Sequence, residues 1–197
     1  MANPDAAFGL RPVRHINGSP WNGLTQMYLY TAAATLFVGD PVKLAGSSGA
    51  AGTVVNGIDV EGMATIVRPA AGDALLGVVV GFLPLQTNLE VLHAQASVNR
   101  IALVVTDPTV VYEVQEDSDT NDMDADMVGL STDMITYAAG STTTGRSIIE
   151  LDSSDTGTAA GQFRILGLTK RPGNAIGTNA VWDVMINEHQ LLTSTDV

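Results

Sequence analysis

Residues 101–115 read Ile-Ala-Leu-Val-Val-Thr-Asp-Pro-Thr-Val-Val-Tyr-Glu-Val-Gln, and this stretch decides the fold. Two runs rich in valine, Ile101 to Val105 and Val110 to Gln115, stand on either side of a short polar segment that contains Pro108. Runs of this length and composition are typical of β-strands, because β-branched side chains pack well on a pleated surface. The stretch therefore predicts two strands joined by a turn.

The same pattern continues in both directions along the chain. Val78-Val79-Val80 is a continuous apolar run, which predicts a strand covered on both faces. Short strands with Gly, Pro and Asn between them predict an all-β body, a β-sandwich or β-barrel of jelly-roll-like type. One or two helical turns over residues 121–127, capped by Thr120, are the only helix expected. The remaining predicted strands are Gln26 to Tyr30, Val42 to Leu44, Ala64 to Val67, Leu75 to Phe82, Glu90 to Ala94, Ser147 to Leu151, Phe163 to Thr169 and Ala180 to Asn187.

An extended N-terminal arm is predicted to precede this body. Residues 1–24 contain prolines and glycines that interrupt helices and long strands, together with large apolar side chains. We expect such an arm to grip an acidic, apolar groove on another surface and to be removable without unfolding the body. The body covers residues 25–190, with an acidic loop insertion at 113–146 and a C-terminal tail at 191–197. The expected interface residues of the arm are Phe8, Leu10, Arg11, Val13, Arg14 and Trp21.

Composition and charge favour protein partners. The chain of 197 residues is 45% hydrophobic and 5% aromatic, which is enough for one domain with a packed core. Its 9 Lys and Arg residues against 21 Asp and Glu residues give a formal net charge of −12, which repels phosphate backbones and argues against nucleic acid. The absence of cysteine excludes disulfides and thiolate metal sites. Neither a signal peptide nor an apolar run of membrane-spanning length is recognisable, so we expect synthesis in the cytoplasm and no membrane partner.

The densest local charge is an acidic segment between Glu113 and Asp126, in a region without Lys or Arg from position 101 to position 145. Asp117, Asp119 and Asn121 have the alternate spacing of the first ligands of a calcium loop. However, Asp122 and Val128 occupy the positions where that loop needs a glycine and a bidentate glutamate. The preferred interpretation is a solvated acidic loop or an electrostatic docking patch, with calcium binding as the weaker alternative.

No spacing of reactive groups points to catalysis. The histidines at positions 15, 93 and 189 have no metal-binding spacing, and nucleophile-elbow, phosphate-loop and dinucleotide motifs are absent from the sequence. The aromatic content is also too low to supply the aromatic surface against which a carbohydrate-cleaving site holds its sugar. We therefore expect a protein that is not an enzyme and has no cofactor.

A second basic cluster lies near the C-terminus. Lys170 and Arg171 precede the turn-rich stretch 172–179, with Arg164 nearby in sequence. Two or three cations in an acidic chain are a weak signal for nucleic acid. A solvated turn is the first interpretation of Lys170 and Arg171, and electrostatic docking to an acidic partner is the alternative.

Several stretches of the sequence are similar to those of one protein family. The chain opens with Ala2-Asn-Pro-Asp-Ala-Ala-Phe-Gly-Leu-Arg-Pro-Val13, His15 and Gly18-Ser-Pro-Trp-Asn-Gly23. Similar in style are Gly39-Asp-Pro-Val42, Gly77-Val-Val-Val-Gly-Phe82, Tyr112-Glu-Val-Gln-Glu-Asp-Ser-Asp119, Leu168-Thr-Lys-Arg-Pro-Gly-Asn174 and Val184-Met-Ile-Asn-Glu-His189. Together these stretches are spread over most of the chain. On them the chain resembles the head decoration, or cement, proteins of tailed bacteriophages.

This resemblance implies a β-rich protein on the outside of a virion head, where it clamps neighbouring major capsid subunits and stabilises the shell. The implied partners are the major capsid protein and further copies of the chain itself, as a homodimer or homotrimer. Two alternatives stay open. One is another virion structural protein of the capsid or tail, and the other is a β module that binds a receptor or a carbohydrate.

Overall fold

The computed structural model describes residues 3–117, 119, 121–135, 140–157 and 160–192. These residues form strands and two short 3-10 helices, Ala125–Met127 and Ser153–Asp155, so the expectation of an all-β protein with little helix is confirmed. The strands are β1 (Arg11–His15), β2 (Gln26–Tyr30), β3 (Pro41–Ser48), β4 (Val54–Val55), β5 (Ile58–Asp59), β6 (Ala64–Val67), β7 (Gly77–Phe82), β8 (Arg100–Val105), β9 (Val110–Gln115), β10 (Ser131–Thr132), β11 (Phe163–Leu168) and β12 (Val181–Ile186).

Five strands close into a barrel in the order β2-β6-β3-β7-β8, with five members rather than the eight strands of a jelly roll. The pairs are antiparallel except β2 with β6, which run parallel. The interior is filled by side chains that alternate along the strands, among them Tyr28, Tyr30, Val79 and Val104. The short hairpin of β4 and β5 covers Leu29 and Ile101 on the outside of the barrel.

The other large sheet has the order β1-β9-β12-β11-β10 and is antiparallel throughout. Its buried face contributes Tyr112, Phe163 and Trp182 to a second core, and the barrel contributes Leu75 and Val78. The two sheets therefore pack against each other across this second core and form one unit. No helix in the described part of the chain is long and apolar enough to cross a membrane.

Strand β7 links the two cores. Val78 is fully buried in the core shared with the large sheet, and its neighbour Val79 is fully buried inside the barrel. Successive strand residues point to opposite faces, so a strand with apolar side chains at both positions must be covered on both sides. The prediction made from the triple-valine run is confirmed.

Two predicted strands lack a regular ladder. Within Glu90 to Ala94 only Ala94 makes a bridge, to Leu36, and the stretch is otherwise a loop. In Ser147 to Leu151, burial alternates as in a strand, with Ser147, Ile149 and Leu151 buried and Ile148 exposed, but this segment makes only isolated bridges. Alternating burial shows that one face of a segment is covered, but it does not show that a neighbouring strand is present to form hydrogen bonds with it.

The predicted helical turn is shorter than expected. It covers Ala125–Met127 and begins at Asp124, whose side chain accepts a hydrogen bond from the Asp126 amide. Thr120, the expected cap, lies outside the described residues.

The N-terminal segment is part of the body, in contrast to the expected detachable arm. Strand β1 pairs with β9, and Leu10 is 2% exposed within the core shared by the two sheets. The segment then turns back so that the Trp21 amide donates to the carbonyl of Val13. The reason is hydrophobic burial: the apolar side chains that predicted an anchor for a partner cover the protein's own core.

Candidate protein-binding surface

The two basic features singled out in the sequence meet at one place on the surface. Arg11 of β1 forms an ion pair with Glu113 of β9, and the Arg171 guanidinium lies 3.8 Å from the same carboxylate. Both arginines also lie against the Phe8 ring, with the guanidinium carbons of Arg11 and Arg171 at 5.2 Å and 5.8 Å from its centroid. Both distances are within the range of cation–π attraction. We call Phe8, Arg11 and Arg171 the arginine–phenylalanine cluster.

Hydrogen bonds from the last turn fix the start of the arm. The Asn3 side chain donates to the carbonyls of Ala175 and Thr178 at 2.8 Å and 3.0 Å and accepts from the Ala175 amide at 3.0 Å. Gln115 lies beneath this contact and is 2% exposed. Its amide nitrogen donates to the carbonyls of Pro4 and Asn179, and its oxygen accepts from the Ala6 amide. These bonds hold the backbone that presents Phe8.

A cleft of about 400 Å³ opens beside the cluster, between the large sheet and the barrel. Its lining includes Phe8, Trp21, Val80, Arg11 and Arg146. The indole nitrogen of Trp21 is buried and has no hydrogen-bond partner among the described residues. No described Asp or Glu lines this cleft, although the chain contains 21 acidic residues. The cleft therefore combines apolar and cationic groups.

The remaining expected interface residues lie elsewhere or face inward. Leu10 is buried in the core and Val13 is half-buried, so neither is available as a surface anchor. The Arg14 guanidinium lies 3.0 Å from a carboxylate oxygen of Asp183 on the outer face of the large sheet. Lys170 is exposed but lines a different cleft, together with Val128 and Ile176. Phe8, Arg11, Trp21 and Arg171 are the members that the fold brings together.

Part of the acidic segment forms a cluster of three carboxylates. Oxygens of Asp117, Asp119 and Asp152 lie within 4.8 Å of one another, whereas Asn121 contributes its backbone amide to Asp119. The Ser153 hydroxyl lies 2.7 Å and 3.1 Å from carboxylate oxygens of Asp117 and Asp119, and its single proton is donated to the nearer, Asp117. Burial, opposed by the Ser153 bonds, raises the pKa of Asp117. The sequence did not predict Asp152, because only the fold brings it beside the other two.

Two glutamates near this cluster have a raised side-chain pKa. Burial raises the pKa of Glu116 to about 7 even though the amides of Met123 and Ala180 donate to its carboxylate. Burial, and then the charges of Asp5 and Asp117, raise the pKa of Glu150 to about 7. Removing a carboxylate from water disfavours its charged form, and neighbouring negative charges add to that effect. Glu116 and Glu150 therefore titrate near neutral pH.

The sequence analysis also did not identify a cluster of polar side chains around Asp107. Its carboxylate accepts from the Thr109 hydroxyl at 2.7 Å and lies 3.4 Å from Nδ1 of His15, while the charge of buried His189 also acts on it. The Thr109 bonds are the main cause of the lowered pKa of Asp107. The single hydroxyl proton of Thr109 goes to Asp107 and is not taken by His15. This geometry caps a turn and does not activate Thr109 as a nucleophile.

No family model, curated protein or solved structure matches this chain.

Proposed function

We propose that the protein is a virion structural protein that binds the outer surface of a tailed-phage capsid, clamps neighbouring major capsid subunits and so stabilises the head. The contact surface is the arginine–phenylalanine cluster with the adjacent Trp21 cleft. The protein has no catalytic role in this proposal and requires no cofactor.

The observation that supports the proposal most is the concentration of Phe8, Trp21, Arg11 and Arg171 beside one cleft. Arginine and large aromatic side chains are enriched among the residues that dominate the binding energy of protein interfaces. Arg11 retains a 54% exposed side chain despite its ion pair with Glu113. An acidic, partly apolar patch on a shell subunit is the kind of partner that this surface fits.

The contact surface is held in place before binding. Asn3 and Gln115 tie the arm to its own body through hydrogen bonds to residues 4–6 and 175–179. A surface whose backbone is already ordered loses less conformational entropy on association. The arm therefore acts as a rigid contact on the body rather than as a flexible clasp.

Repetition strengthens such a contact. An interface of standard size buries roughly 800 Å² on each partner. Copies joined as a homodimer or homotrimer would bind several capsid subunits together, and the effective concentration of the second contact would supply avidity. Bridging of neighbouring subunits is the physical basis of the stabilisation.

The test uses empty heads assembled from the major capsid protein of the same phage, mixed with the full chain and sedimented. The substitutions Arg11→Glu and Arg171→Glu together are expected to weaken binding at least about tenfold, since they reverse two interface charges. The matched control combines Arg164→Glu and Lys170→Glu, which changes the net charge equally at exposed positions outside the cleft. Both variants are first checked for an unchanged melting temperature.

Binding of the double arginine variant at wild-type affinity, with its fold intact, would exclude this surface as the contact. Failure of the wild-type protein to bind the heads would reject the capsid function itself. Decorated heads are also expected to survive heating better than bare heads, and equal survival would remove the stabilising role.

A further inference from the structure

A second cleft, of about 320 Å³, lies next to the first and shares Val38 and Arg146 with it. Leu89 and Leu92 line it and are 73% and 52% exposed. Large apolar side chains that stand side by side on a surface mark a contact site more often than isolated ones do. The proposed capsid contact uses neither leucine.

The loop that carries these leucines is fixed from below. The buried Arg100 guanidinium donates to the carbonyls of Leu83, Val91 and His93 at 3.1 Å, 2.9 Å and 2.7 Å. These bonds fasten the loop to strand β8. The two leucines are therefore presented on an ordered backbone.

The cleft has a cationic character. Arg146 is exposed and makes no ion pair with any described residue. Across residues 3–117, 119, 121–135, 140–157 and 160–192, no Asp or Glu lines the cleft. Glu90 belongs to the same loop but is not part of the lining. An apolar cleft with one free guanidinium fits a segment that carries both acidic and apolar side chains.

The chain itself carries such a segment on its surface. Asp122, Asp124 and Asp126 are all exposed at alternate positions. Val128 and Ile176 are 45% and 51% exposed and line one shared cleft. Lys170 and the Arg14–Asp183 ion pair also line this cleft, so the three aspartates outnumber the one cation there that has no acidic partner among the described residues. The Thr178 hydroxyl donates to Asp122 at 2.8 Å, which ties the segment to the turn that carries Ile176. We call residues 122–128 with Ile176 the acidic ridge.

We propose that the second cleft binds the acidic ridge of another copy of this chain. In this contact Arg146 meets the aspartates, while Leu89 and Leu92 meet Val128 and Ile176. Two copies with a net charge of −12 repel each other, and a contact in which acidic groups of one copy face cations of the other offsets that repulsion. At physiological salt the screening length is about 8 Å, which removes most of the distant repulsion and leaves the contact pairs.

The proposed contact is heterologous, since the cleft of one copy meets the ridge of the next. Such contacts build closed rings or open chains. The inference does not rest on capsid binding, because it concerns the purified chain alone.

The test measures self-association of the full chain by sedimentation velocity up to about 500 µM, a range that detects dissociation constants in the micromolar region. One variant reverses the cleft, Arg146→Glu, and another reverses the ridge, Asp122→Lys with Asp126→Lys. Asp124 is left unchanged because it caps the helical turn. Lys43→Glu is the matched control, with the same charge change as Arg146→Glu at a position that lines neither the cleft nor the ridge.

The wild type and the control are expected to associate, and each reversed variant alone is expected to do so at least about tenfold more weakly, because like charges then face each other. An equal mixture of the two reversed variants is expected to regain association, since each cleft then faces a ridge of opposite charge. About 0.5 M salt should weaken the wild-type contact by screening its charges.

A wild type that stays monomeric over the whole range overturns the proposal, and so does a mixture that fails to regain association. A wild type that stays monomeric and still binds heads would reject the self-contact and leave the capsid proposal intact. If the chain associates with itself but does not bind heads, the capsid proposal is rejected and the self-contact stands.

Discussion

Arg11 and Arg171 lie against the same Phe8 ring, with guanidinium carbons 5.2 Å and 5.8 Å from its centroid. Two like charges can stand this close because the Glu113 carboxylate contacts both guanidinium groups. The arrangement joins the beginning of the chain to the turn between the last two strands of the large sheet. It also places the strongest candidate contact residues on a scaffold that the rest of the fold must support.

Leu10 tests whether the arm is structural. Leu10→Ala is expected to lower the free energy of unfolding by about 2–5 kcal/mol, since it leaves a cavity in the core shared by the two sheets. Leu24→Ala is the matched control, because Leu24 is 70% exposed and its loss should change stability little. Denaturant titration followed by circular dichroism measures both variants. Equal stability of the two would show that the arm does not pack as described.

A substitution at Gly9 tests how closely the N-terminal segment approaches Gly39 and Ser147. Its φ is +71°, and a Cβ there would lie 2.5 Å from the Ser147 Cβ and 2.7 Å from the Gly39 carbonyl oxygen. Gly9→Ala is therefore expected to cost more than about 2 kcal/mol, the sum of backbone strain and a contact that must shift. Gly23→Ala has a similar φ of +83° with open space around it and should cost about 1 kcal/mol.

The two glycine variants are compared by thermal melting. A Gly9 variant no less stable than the Gly23 variant would contradict the close approach of residues 9, 39 and 147.

Gln115 tests how the contact surface is preorganised. Gln115→Leu removes one acceptor and one donor group that together make three hydrogen bonds to Pro4, Ala6 and Asn179. Hydrogen exchange at the Ala6 amide is expected to accelerate about tenfold or more, because its hydrogen-bond acceptor is lost. Gln26→Leu is the control, since Gln26 is exposed at the start of β2. Unchanged exchange at Ala6 would mean that other contacts hold the arm.

Glu150 tests the acidic side of the protein. Its pKa is raised from 4.5 to about 7, so between these values the folded state binds more protons than the unfolded state does. Its contribution to stability is therefore greatest at low pH and declines as the pH rises toward and through about 7. Glu150→Gln removes the charge and should stabilise the protein by about 1 kcal/mol near pH 8, the full linkage value being reduced by solvent around a half-buried group.

The same variant should have little effect near about pH 5, where the folded-state glutamate is already protonated. Urea titrations at the two pH values supply the comparison. Asp59→Asn, at an exposed position in the β4–β5 hairpin, is the control for loss of one negative charge. A Glu150→Gln gain that is independent of pH would contradict the raised pKa.

Sequence patterns predicted most strands because each pattern depends on local chemistry. Gln26 to Tyr30, Ala64 to Val67 and Val110 to Gln115 were predicted with the bounds that the structure gives. Glu90 to Ala94 was wrongly predicted as a strand: the carbonyls of Val91 and His93 accept hydrogen bonds from the Arg100 guanidinium and not from a neighbouring strand. That contact joins residues that are separate in sequence, and no local pattern encodes it.

The candidate surface shows the same division. Phe8, Arg11 and Trp21 were identified from the composition of the arm, and Arg171 from a separate basic cluster. Their meeting beside Glu113 follows from the pairing of β1 with β9 and of β9 with β12. Arg146 reaches the same cleft through its bridge to Val38. The burial of Leu10 contradicted the expected surface role because an apolar side chain looks the same in sequence whether it covers its own core or a partner.

The sequence by itself determined that this is an all-β protein with an acidic surface, since valine-rich runs, turn residues and net charge are properties of short segments and of composition. Only the tertiary structure decided that the N-terminal segment is an integral strand and that two basic features form one surface. The physical reason is that burial and strand pairing act between residues far apart in the chain, and their free energy depends on which surfaces meet.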